Sequence, residues 1–67
     1  MDPITVEKFV ATKGWRLRQE IEGVFGSGET LDMTLKFLLE KHRLGLVKFS
    51  DESGAHGEIF YLPRSAR

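Results

Sequence analysis

The residues of this chain able to do chemistry are few: two histidines, a Gly-Ser-Gly turn, and ten carboxylates set among ten Lys and Arg. His42 and His56 have no ligand-type residue at metal-binding spacing beside them, and the absence of cysteine removes thiolate sites and disulfides together. His42 falls on an apolar stripe near a helix end, where the bland reading is a partly buried histidine; His56 reads as a solvated loop residue. Gly26-Ser27-Gly28 lacks both the length and the lysine of a phosphate-binding loop, so it reads as a helix break. Neither a nucleophile with its base nor a paired-carboxylate cleft is visible, and the expectation is a protein that is not an enzyme, with no metal, no cofactor and no small-molecule substrate.

Binding chemistry is better represented. Ser27, Thr30, Thr34 and Lys41 lie on or just before a leucine-striped segment, roughly 80 to 120 degrees from its stripe, and are expected to face outward. Hydroxyl and ammonium groups there can contact bases or phosphates. Lys8, Lys13, Arg43, Lys48, Arg64 and Arg67 have no obvious helix-spaced acid and are the residues that could form a basic patch. Acidic residues stand against this: Glu29 and Asp32 at the front of the same segment, Asp51 and Glu52 further on. Arg16 and Arg18 can pair with Glu20 and Glu22, and Lys36 lies between Asp32 and Glu40, which reads as a self-compensated solvated face. Met33 and Phe37 point about 145 to 175 degrees away from the leucines, so one core does not easily bury both sets. An apolar pair there suits a protein interface or homodimer, involving Met33, Thr34 and Phe37.

The elements that must position these groups follow from caps and periodicity. Asp2-Pro3 starts a helix that runs over 3–13 with Val6, Phe9 and Val10 on one face and stops at Gly14. Trp15, Arg16 and Leu17 alternate as a very short strand. Leu17, Ile21, Val24 and Phe25 carry a second helical period, closed by Gly26. Ser27 or Thr30 can cap a third helix whose stripe is Leu31, Leu35, Leu38, Leu39 and His42, with Gly45 ending the run. Beyond it, 46–49 and 58–62 read as strands joined by a polar loop over 50–57, and Pro63 closes the second. Register stays open, because Phe60 with Leu62 and Ile59 with Tyr61 are both apolar enough to face inward. The expected core is Leu17, Ile21, Phe25, Leu31, Leu35, Leu38, Leu39 and Val47.

Sixty-seven residues allow one domain, here 1–63, with a frayed basic tail over 64–67. A 40% hydrophobic fraction argues against disorder, and no apolar run approaches the roughly 20 residues that span a bilayer. Lack of cysteine suits a reducing interior, so a cytoplasmic, nucleoid or nuclear location is expected. Net charge is zero, so attraction to nucleic acid or anionic lipid must come from a local patch.

Helix, short extended piece, helix, Gly-containing turn, longer helix and long-tipped hairpin resemble the winged helix-turn-helix family over 3–62. The stretch from Thr30 to Phe49, with Leu44-Gly45-Leu46-Val47 leading into the hairpin, carries the likeness. The resemblance implies an α+β fold, a three-helix winged helix-turn-helix with a C-terminal β-hairpin wing. It implies Gly26-Ser27-Gly28 as the turn, the third helix as recognition helix, 50–57 as wing and 15–17 as third strand. The function it implies is DNA binding in transcription regulation, with Ser27, Thr30, Thr34 and Lys41 on the helix and Arg43 and Lys48 on the backbone. The alternative is a winged helix serving protein–protein interaction or homodimerisation through Met33, Thr34 and Phe37.

Overall fold

The computed structural model describes residues 1–63; the basic tail expected over 64–67, with Arg64 and Arg67, lies outside the described residues. Three helices and three strands follow in the order α1 (Pro3–Lys13), β1 (Trp15–Leu17), α2 (Arg18–Phe25), α3 (Glu29–Glu40), β2 (Gly45–Ser50) and β3 (His56–Tyr61). The fold is α+β. Asp2 caps α1, its carboxylate accepting from the Ile4 amide at 3.0 Å, and the Gly14 amide closes the helix on the Val10 carbonyl at 2.8 Å. At the start of α2 the Glu20 carboxylate reaches back to accept from the Leu17 amide at 3.0 Å, which holds this carboxyl below the usual glutamate range.

Both ends of α3 differ from expectation. Neither Ser27 nor Thr30 caps it; the N-cap is Gly28, at φ 145 where L side chains rarely go, and no side chain accepts from the first turn. The helix stops at Glu40, well before Gly45. His42, at φ 60, occupies the left-handed exit position. Its amide donates to Leu39 at 3.1 Å and the Arg43 amide to Leu38 at 2.9 Å, the paired bonds of a Schellman stop. This turns His42 off the apolar stripe and exposes it. Because a left-handed conformation costs a non-glycine residue about 1 kcal/mol, His42→Gly should stabilise the protein by roughly 0.5–1 kcal/mol. A higher urea midpoint at unchanged slope would show it.

The strands form one antiparallel sheet in the order β1-β3-β2. Phe60 lies opposite Arg16 and Leu46, and Ile59 opposite Leu17 and Val47, so the register left open by the sequence is set with Phe60 inward at 1% exposure. Both hairpin strands extend closer to the tip than expected, leaving a loop of 51–55. The Asp51 carboxylate organises it by accepting from the Ser53 hydroxyl at 2.6 Å, the Ser53 amide at 2.9 Å and the Ala55 amide at 3.0 Å. The hydroxyl bond above all, then the amides, pull this carboxyl below the ordinary aspartate value.

Val6 and Val10 from α1, Ile21 from α2, Leu31, Leu35 and Leu38 from α3, Leu44 and Phe60 make the core. Phe9 and Phe25 pack on its margin edge to face, ring centres 5.7 Å apart. Leu39 joins them half-buried, and Leu17 is half-buried as well. Val47, expected in the core, is 48% exposed: opposite Ile59 it shares the face turned away from Phe60.

Candidate functional site

The free side of α3 runs along Thr30, Met33, Phe37 and Lys41, spaced at three and four residues. Met33 is 66% and Phe37 42% exposed, so this face is apolar at its centre. Beside it, the first turn of α1 and the last turn of α3 enclose a groove of about 500 Å³ lined by Asp2, Pro3, Ile4, Phe37, Leu38, Lys41 and Arg43. Ile4 is 52% exposed on one wall. The Lys41 ammonium stands 5.7 Å from the centre of the Phe37 ring and gives the rim a positive charge.

Thr34 corrects the expected site. It is buried, because it lies only about 60 degrees from Leu31 and about 40 degrees from Leu38 on the near edge of the stripe, and its hydroxyl donates to the Thr30 carbonyl at 2.9 Å. It does not face outward as expected of a base contact or an interface residue. Arg43 is exposed but engaged: Glu7 of α1 accepts from its guanidinium at 2.6 and 3.4 Å, which raises the Arg43 pKa still further. Ser27, Thr30, Lys41 and Lys48 are exposed as expected. They do not converge: Thr30 and Lys41 are about 16 Å apart along the helix axis, and Lys48 belongs to the hairpin.

Between α2, α3 and the hairpin, charge is arranged around Arg18. Its guanidinium donates to Glu22 at 3.0 Å, to Glu58 of β3 at 3.2 Å and to Asp32 of α3. The Glu22 bond leads in raising the Arg18 pKa. Arg16 pairs with Glu20 at 3.5 Å and lies over the Phe9 ring. The expected Arg16–Glu20 and Arg18–Glu22 pairs therefore form, whereas Asp32 turns to Arg18 instead of making the ladder with Lys36. Lys48 sits opposite Glu58 in the hairpin and borders a groove of about 530 Å³ with Arg18, Glu22, Phe49 and His56. Three carboxylates against Arg18 and Lys48 leave this region acidic, and the Asp51–Glu52 loop adjoins it.

Ile4 and the outward side of the sheet are surface features the sequence reading did not single out. Trp15, Val47 and Phe49 on the sheet are 40%, 48% and 43% exposed. Alternation around Lys48 holds the signal for Val47 and Phe49, but it points nowhere until register is known. Among the described residues, no group of three or more His, Asp or Glu side chains is placed to hold a metal ion, and no helix is long and apolar enough to cross a membrane. No family model, curated protein or solved structure matches this chain.

Proposed function

We propose that this is a winged-helix module that captures a protein segment along the free face of α3 and the groove beside α1. Charge use carries the reading. Arg16, Arg18 and Arg43 are each satisfied by carboxylates of their own chain, while Met33, Phe37 and Ile4 present apolar surface to solvent. A duplex would bring phosphates against Asp32, Glu58 and the Asp51–Glu52 loop. The fitting partner is an amphipathic helix with aliphatic or aromatic anchors three or four residues apart and an acidic residue set to meet Lys41. In this reading the hairpin loop is a specificity element that repels acidic surfaces.

The test is selection from a library of amphipathic helical peptides against the full chain, read by titration. Bound peptides should carry such anchors, and Phe37→Ser should weaken them at least tenfold, about 1.4 kcal/mol, with an unchanged circular dichroism spectrum. Equal affinity in Phe37→Ser would defeat the assignment. A second reading, the DNA-binding regulator, draws on the exposure of Ser27, Thr30, Lys41 and Lys48. Binding of a mixed-sequence duplex that falls steeply with salt would favour it, since counterion release scales with the phosphates neutralised.

A further inference from the structure

The sheet presents its second side to solvent, and that side carries no charge. Trp15, Tyr61 and Gly45 form one row across the strands; Leu17, Ile59 and Val47 form the next; Gly57 and Phe49 form the third. An exposed sheet face is ordinarily polar, and 30% of this chain is charged, so a face made only of aromatic, aliphatic and glycine residues departs from the pattern. Its two glycines make it flat. A Cβ on Gly45 would stand 2.2 Å from the Tyr61 ring and one on Gly57 2.2 Å from the Phe49 ring, so each ring lies across the neighbouring strand instead of standing up from it.

Charge brackets this face at its two ends and with opposite sign. At the Trp15 end, the Lys13 ammonium lies 4.1 Å from the centre of the indole ring, with the Glu20 carboxylate, which already accepts from the Leu17 amide, within reach of its charge. The other end runs into the Asp51–Glu52 loop, beyond Phe49 and about 13 Å along β2 from Gly45. A face with a neutral middle, a positive end and a negative end complements itself when a copy is laid on it with the strand ends reversed. That arrangement is a closed two-fold contact.

We propose that the outer side of the sheet is a homodimer interface. Two copies pack sheet to sheet, about 10 Å apart, with Lys13 of each against the Asp51–Glu52 loop of the other and the Tyr61 shelf of each on the Phe49 shelf of the other. The surface on offer sets the strength. Trp15 and Phe49 leave on the order of 200 Å² uncovered between them, given the 150–250 Å² such side chains bury. With Val47, the half-buried floor and the rim, the pair would cover roughly 900 Å², the weak end of specific interfaces. The dimer is therefore reversible and forms with rising concentration. It leaves both α3 grooves facing outward, so the groove that takes the partner proposed above stays open, and only the Asp51–Glu52 loop is shared between the two contacts.

Sedimentation equilibrium on the full chain tests it. Wild type should pass from monomer to dimer on the order of 100 μM, and Val47→Glu should stay monomeric with an unchanged circular dichroism spectrum. Lys13→Glu should weaken the dimer at least threefold, and Lys13→Glu combined with Glu52→Lys should restore it; this swap decides the matter if Val47→Glu fails to fold. Phe37→Ser should dimerise as wild type does. Wild type that stays monomeric at about 1 mM, a dimer indifferent to Val47→Glu, or one abolished by Phe37→Ser would each overturn the assignment.

Discussion

Phe60→Ala should cost about 3–5 kcal/mol and lower the urea midpoint steeply. A domain of 67 residues has a total stability of roughly 3–10 kcal/mol, so one such loss takes a third of it or more. Phe60 sits on the central strand β3 at 1% exposure, with Arg16 and Leu46 as its cross-strand neighbours, in one core cluster with Val6, Val10, Ile21, Leu31, Leu35 and Leu38 of the helices. No other aromatic side chain is fully buried among the described residues. Phe60→Leu removes less volume and should cost only about 1–2 kcal/mol, keeping a cooperative urea transition at lower midpoint. A Phe60→Ala protein that unfolds at the wild-type midpoint would mean that the sheet is held by something other than this ring.

That residue also marks where the sequence stops being readable. The helices were legible because their signals are local: Asp2-Pro3 with Gly14 bounds α1, and Leu31, Leu35 and Leu38 define the buried face of α3. The inward face of the hairpin was not, because 59–62 is apolar on both sides and only pairing with β1 and β2 selects Phe60. Val47 went astray for the same reason, and Val6, Val10, Leu44 and Phe60 entered the core in places the expected set did not reach. Of the candidate site, Met33 and Phe37 could be placed from a helical wheel. Thr34 could not, since it lies at the edge of the stripe where tertiary packing decides. The Arg43–Glu7 pair spans 36 positions, beyond any spacing rule. Of the residues that could form a basic patch, this long-range pairing takes up Arg43.

Arg18→Ala is the second large effect, and it tests that compensation. Arg18 holds three carboxylates from three elements, and its own side chain keeps only 29% exposure. An exposed ion pair is worth at most about 1 kcal/mol, whereas breaking a buried one costs about 3–5, so a partly buried hub with three arms should cost about 2 kcal/mol when removed. The arms are unequal: Asp32 is 57% exposed and adds least, while Glu22 and Glu58, about as sheltered as Arg18, add most. Removing Arg18 leaves those carboxylates facing one another. The deficit should therefore shrink in acid, where carboxylates lose their charge, and shrink again in high salt, where exposed repulsion is screened. Arg18→Lys should restore only part of the loss, because an ammonium cannot donate to three carboxylates from one rigid plane. Urea titrations of the three proteins at neutral and acid pH would measure this. A variant as stable as wild type at neutral pH would show that α2, α3 and the hairpin are joined by packing alone. In that case the acidic character of this side is a plain surface property, and the argument against a phosphate partner rests on Asp51, Glu52 and the Arg43–Glu7 pair.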